Sequence, residues 1–172
     1  MNFGCCFSLP PESCALWAGS VHFRYPYNLV ELDRLTEETL LGAVGGRYKA
    51  DVMYTFVSDI LLAVNPYRNL GIYGRKFKER YHPQSPVVPI PHIYAIAQQA
   101  AKNLRLHGAS QVCLISGESG AGKTETAKQF LNHLLHFAGG VEGASSALER
   151  KILGSQPLLE AFGNARTGCV LS

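Results

Sequence analysis

The sequence predicts an α/β fold organised around one strand, one glycine-rich loop and one helix. Residues 112–115 (Val-Cys-Leu-Ile) are an apolar run of strand length, which we expect to be buried. Residues 117–122 hold three glycines, and residues 124–137 place apolar side chains on one helical face, namely Phe130, Leu131, Leu134 and Leu135. At 172 residues the chain is long enough for one domain with a core.

Helix and strand patterns also precede this unit. Thr36 is predicted to cap a helix that starts at residue 37 and ends at Gly45-Gly46, with an apolar face formed by Leu40, Leu41 and Val44. Residues 54–57 and 60–64 are rich in β-forming side chains and are separated by Ser58-Asp59. They predict two strands joined by a turn.

Three further helices are predicted around these elements. Residues 76–81 predict a short helix, and residues 92–107 predict a longer one with Gly108 at its end and an apolar face. That face consists of Ile93, Ile96, Ala97, Ala100, Ala101 and Leu104. A small-residue linker at 139–146 leads to a last helix near 147–162, kinked at Pro157.

The glycine-rich loop fits the phosphate-binding template G-x-x-x-x-G-K-[ST], in which backbone N–H groups surround the phosphates of a nucleotide. Its residues are Gly117, Glu118, Ser119, Gly120, Ala121, Gly122, Lys123 and Thr124. Lys123 is expected to neutralise the β- and γ-phosphates, and the Thr124 hydroxyl to hold Mg²⁺. A Gly/Ser loop that binds no nucleotide is the alternative, which the strand before the loop and the helix after it disfavour.

Composition excludes other classes of function. The 47% apolar and 17% charged fractions are those of a globular protein, and a net charge of +3 without a basic run argues against nucleic acid. No apolar run approaches the length of a membrane span. The five cysteines show neither a zinc-site nor a disulfide pattern, which favours the reducing cytoplasm. His92, His107, His133 and His136 lack metal-site spacing, so we expect structural roles for them.

The filling of the loop, Glu118-Ser119-Gly120-Ala121, resembles the phosphate loop of myosin motor heads. Three other segments match this family in the same order: residues 65–73 resemble its purine-binding loop, 91–97 the segment leading to the phosphate-loop strand, and 159–165 the segment ahead of the first nucleotide switch. The resemblance covers residues 28–167. The short N-terminus and the short loop at 139–146 are typical of an unconventional myosin.

The resemblance implies a P-loop NTPase fold of the myosin-head type, ATP and Mg²⁺ as ligands, actin filaments as the partner of the full-length parent, and a cytoskeletal location in the cytoplasm. It places Asn65, Pro66 and Tyr73 beside the adenine, with Arg68 nearby. It divides the chain into an irregular segment 1–27, an N-terminal part of a motor domain at 28–167, and a divergent tail at 168–172.

The sequence departs from the family after Thr167, where a myosin continues into the first switch. The switch serines and arginine, the second switch, the actin-binding surfaces and the later sheet strands are missing from the 172 residues. We therefore expect ATP binding with negligible hydrolysis, and an incomplete sheet whose exposed phosphate-loop strand favours aggregation. A non-enzymatic product that binds a nucleotide or a partner is one alternative. A small phosphate-loop kinase is the other, although its loop usually lies nearer the N-terminus.

The last four residues form a separate pattern. Cys169-Val170-Leu171-Ser172 fits the C-a-a-X prenylation signal, and a terminal serine favours farnesyl. A chance match is the simpler interpretation, because no polybasic stretch precedes Cys169 and one lipid anchors a protein only weakly. Membrane association through Cys169 stays a subsidiary hypothesis.

Overall fold

A computed structural model describes residues 25–82, 84–85, 90–138, 150–152, 154–155, 158 and 161. Six regular elements follow one another: α1 (Glu37–Lys49), β1 (Tyr54–Val57), β2 (Ile60–Ala63), α2 (Arg75–Arg80), α3 (Ile93–His107) and α4 (Lys123–Ala138). A short 3₁₀ turn at Leu29–Glu31 precedes them. The predicted linker at 139–146, the kink at Pro157, residues 1–24 and the tail with Cys169 lie outside the described residues.

Helix α1 starts as predicted and ends later than predicted. Thr36 and Thr39 cap each other's backbone N–H groups reciprocally, at 3.2 and 3.0 Å. The helix continues through Gly45-Gly46 to Lys49, so the predicted end is wrong. Glycine at position 46 serves packing and does not end the helix, because a Cβ there would stand 2.0 Å from the Tyr25 ring. Gly46 is the residue that permits this close approach.

The predicted apolar face of α1 is also incorrect in part. Leu41 is 65% exposed, whereas the buried side chains of α1 are Ala43 and Arg47. The Arg47 guanidinium donates to the Thr55 hydroxyl at 2.7 Å, to the Tyr54 carbonyl at 2.9 Å and to the Pro26 carbonyl at 3.1 Å. A buried arginine thus joins α1 to β1 and to the chain ahead of the first helix.

The two predicted strands form an antiparallel hairpin. Tyr54 pairs with Ala63 and Val57 with Ile60, and the turn places Ser58 at φ 56°. β2 ends at Ala63, one residue before the predicted end, although the Val64 N–H still donates to the Met53 carbonyl at 2.9 Å. Backbone pairing in the hairpin therefore extends to Val64, directly before the loop that starts at Asn65.

Helices α3 and α4 pack against each other and bury the centre of the core. The His92 ring accepts from the Tyr94 N–H at 3.1 Å at the start of α3, and Gly108 ends that helix in the left-handed region, as predicted. Ile93, Ala97 and Phe130 are buried together, which confirms the predicted inner faces of both helices; Leu104 alone of the predicted α3 face is mostly exposed.

The predicted buried strand at 112–115 is absent. The described sheet contains β1 and β2 alone, and Val112 and Leu114 are 93% and 89% exposed. Among the described residues no strand lies beside this segment to take its backbone hydrogen bonds, and the side chains of Val112 and Leu114 are left in solvent. The α/β class holds, with a sheet of two antiparallel strands in the described part of the chain.

Candidate nucleotide-binding site

The phosphate loop is a tight backbone cradle directly ahead of α4. Gly120 and Gly122 adopt φ values of 79° and 91°, in the left-handed region that favours glycine. A Cβ on Gly117 would come within 3.2 Å of the Ala121 Cβ. Alternating backbone conformations of this kind turn successive N–H groups toward one side and make an anion-binding concavity.

The Lys123 side chain bonds to the backbone at the start of the phosphate loop. Its ammonium group donates to the carbonyls of Gly117 and Glu118, both at 2.7 Å. An ammonium carries three protons, so one remains for a phosphate oxygen. Lys123 is also the first residue of α4, where the helix dipole and the free N–H groups favour an anion.

Thr124 lies exposed in the first turn of α4, which suits a hydroxyl ligand of Mg²⁺. The described residues contain no group of three His, Cys, Asp or Glu side chains that could hold a metal ion by themselves. The chemistry of the site therefore fits Mg²⁺ carried by phosphates, with a single protein hydroxyl beside it.

The four residues predicted to border the adenine line one cavity of about 100 Å³ together with Ala121 and Gly122 of the phosphate loop. This base cavity is lined by Met53, Ala63, Asn65, Pro66, Arg68, Asn69, Leu70, Ile72, Tyr73, Ala121, Gly122, Glu125 and Thr126. Segments more than fifty residues apart in the chain thus meet at a single, mostly apolar hollow.

Asn65 connects the two loops directly. Its side-chain amide donates to the Gly120 carbonyl at 2.8 Å, and its side-chain oxygen accepts from the Tyr67 N–H at 2.9 Å. Tyr67 itself has φ 51° and is mostly exposed. Sequence reasoning predicted Asn65 beside the base and missed its contact with the phosphate loop.

The far wall of the base cavity is held by tyrosines. The Tyr73 and Tyr54 hydroxyls are 2.8 Å apart, and the Tyr94 hydroxyl donates to the Tyr73 carbonyl at 3.1 Å. Burial raises the pKa of Tyr73, so its hydroxyl stays protonated near neutral pH. Arg68 forms an exposed ion pair with Asp51 at the outer rim, a partner that no sequence pattern predicted.

A buried histidine supports this wall from behind. The His92 ring stacks on Tyr81 and Phe77 at centroid distances of 5.1 and 6.1 Å. Burial lowers its pKa to about 3, an effect opposed by the Ile72 carbonyl. The predicted structural role of His92 agrees with this position.

An α/β protein with a phosphate-loop motif at the start of a helix is the class that these features define. A family model of the myosin head (motor domain) matches residues 27–169. The chain therefore belongs to the myosin head family.

Relatives agree with this assignment. The chain is 41% identical over 143 residues to myosin IA heavy chain of Dictyostelium discoideum, covering 81% of this chain and 14% of the relative. It is 41% identical over 140 residues to myosin-1 of Arabidopsis thaliana and 36% identical over 140 residues to myosin-1 of Aspergillus clavatus. In both cases the match covers 81% of this chain and 11% of the relative, so the chain spans a small part of these proteins.

None of the helices in the described part of the chain has both the length and the apolar character that a membrane crossing requires.

Proposed function

We propose that residues 27–169 are the ATP-binding part of a myosin motor head, with a P-loop NTPase fold completed by segments that these 172 residues do not include. The observation that carries the proposal is the shared cavity, in which Asn65, Pro66, Arg68 and Tyr73 lie beside Ala121 and Gly122. A base bound there would have its phosphates at the N-terminus of α4.

Each part of the site has a distinct role in this proposal. The apolar wall and Tyr73 receive the adenine, with the Arg68–Asp51 pair at the rim. Loop N–H groups from Gly117 to Thr124 and the Lys123 ammonium bind the phosphates. Mg²⁺ held by Thr124 and the phosphates would supply further neutralisation of negative charge.

Hydrolysis needs a second set of groups around the γ-phosphate. Phosphoryl transfer depends on positioning water and stabilising charge there. The resemblance to the family implies that switch residues do this work, and we propose that they lie outside these 172 residues. The polypeptide is therefore proposed to bind ATP without appreciable turnover. In the parent motor the same site would couple hydrolysis to movement on actin in the cytoplasmic cytoskeleton.

Titration of a fluorescent ATP analogue with Mg²⁺ tests the binding proposal. We expect saturable binding, and Lys123→Ala should raise the Kd about 10- to 100-fold, because a charge-assisted bond to phosphate is lost. Lys49→Ala removes the same charge from the exposed end of α1 and is the matched control, with an unchanged Kd. Equal Kd values for wild type and Lys123→Ala would contradict the proposal.

Phosphate release measured on the same samples separates binding from catalysis. We expect the wild-type chain to release phosphate no faster than the Lys123→Ala variant, both with and without actin filaments. Turnover stimulated by actin would show that the 172 residues contain the groups needed for hydrolysis.

A further inference from the structure

We infer that Asn65 is a positioning residue of the phosphate loop, in addition to bordering the base. This inference rests on the proposed function and deepens it, because it makes one side chain responsible for the shape of the triphosphate site. Pro66 and Tyr73 differ from Asn65, because they line the base cavity and are assigned only to the base.

The first support is the direct bond. The Asn65 side-chain amide donates to the Gly120 carbonyl at 2.8 Å, at the tip of the phosphate loop. The same amide lies 3.7 Å from the place that a Cβ on Gly122 would occupy, so it packs against the next turn of the loop as well. The bond holds the carbonyl of the peptide between Gly120 and Ala121. The N–H of the same peptide donates to the Glu118 carbonyl at 3.2 Å, so the Asn65 bond and this turn together fix the peptide plane at the tip of the loop.

The second support is that the amide has one consistent orientation. The Tyr67 N–H is a donor and needs the side-chain oxygen, whereas the Gly120 carbonyl is an acceptor and needs the side-chain nitrogen. Both bonds are satisfied only when the oxygen faces Tyr67. In a reversed amide, the side-chain nitrogen would face the Tyr67 N–H, donor against donor, and the side-chain oxygen would face the Gly120 carbonyl, acceptor against acceptor.

The third support is the rigidity of the anchor. Asn65 follows β2 by two residues, and the Val64 N–H still donates to Met53 across the hairpin. On its other side, the bond to the Tyr67 N–H closes an Asx turn that holds Tyr67 at φ 51°. The hairpin therefore determines where the amide of Asn65 stands, and through it where Gly120 stands.

The positioning role predicts that Asn65 affects ligands that have no base. We compare the Kd of MgATP with that of magnesium tripolyphosphate in the full 172-residue chain. Asn65→Ser keeps a neutral acceptor for the Tyr67 N–H but is too short to reach Gly120. Asn65→Gln keeps the amide and displaces it by one methylene. Tyr73→Phe is the control on the base side.

We expect Asn65→Ser and Asn65→Gln to raise both Kd values by a similar factor of about 3 to 10, the effect of one lost hydrogen bond. Tyr73→Phe should leave the tripolyphosphate Kd within about twofold of wild type. A loss confined to MgATP in the Asn65 variants would overturn the inference while leaving the proposed function intact. Failure of wild type to bind either ligand would overturn the proposed function itself, and the inference with it.

NMR relaxation gives a readout that does not depend on ligand. In the ligand-free chain, Asn65→Ser should lower the backbone order parameters of Gly120 and Ala121, while those of α3 stay unchanged. Unchanged order parameters in the loop would contradict a positioning role.

Discussion

Arg47→Met is expected to lower the free energy of unfolding by about 3 kcal/mol or more, since it leaves buried acceptors without a donor. Arg47 is 1% exposed and donates to the Thr55 hydroxyl and to the Tyr54 and Pro26 carbonyls. Burial lowers its pKa to about 10, so the group stays charged near neutral pH. Methionine fills much of the same volume but satisfies none of these oxygens.

Urea unfolding followed by circular dichroism in dilute solution measures the effect of Arg47→Met. Lys49→Met is the matched control, because Lys49 lies two residues further along α1 and is exposed. We expect the control to change the free energy of unfolding by less than about 0.5 kcal/mol. A similarly small loss for Arg47→Met would show that the buried guanidinium does not hold α1 on the hairpin.

Acid is expected to destabilise the fold by roughly 4 kcal/mol between pH 6.5 and pH 4.5 through two buried histidines. Burial lowers the pKa of His92 to about 3 and that of His133 to about 4. Below pH 6.5 the unfolded chain takes up protons at both sites and the folded chain does not. Stability is therefore fully present above about pH 6.5 and falls as the pH approaches 4.

The slope of the free energy of unfolding against pH isolates the histidine contribution. His92→Asn retains an N-cap acceptor for α3 and removes the titrating group, so we expect a slope reduced by about one proton. His107→Asn is the control at the exposed C-terminal end of the same helix. An unchanged slope in His92→Asn, compared with wild type and with this control, would rule out the proposed contribution of His92.

Local sequence signals predicted most of the described elements because each depends on neighbouring residues. The Thr36 cap, the turn at Ser58-Asp59 and the end of α3 at Gly108 are examples. The phosphate-loop template and the resemblance of residues 65–73 also predicted the members of the candidate site, and the roles of these residues stay predictions. The cavity then brings both segments together.

Features that depend on distant contacts were not predictable. Gly46 resembled a helix end, yet it serves the approach of Tyr25. No sequence pattern indicated that Arg47 is buried, because its partners lie on β1 and at Pro26. Residues 112–115 have the composition of a buried strand, but a strand needs neighbours for its backbone, and none is present among the described residues.

Hydrogen exchange of the 172-residue chain with and without MgATP tests most directly whether the base loop and the phosphate loop form one site. We predict slower exchange in peptides from both 65–73 and 117–124 when MgATP binds, because both segments line the same cavity. Peptides from the C-terminal half of α3 should not change. Protection confined to 117–124, or absent from both segments, would show that the two loops do not form one nucleotide site.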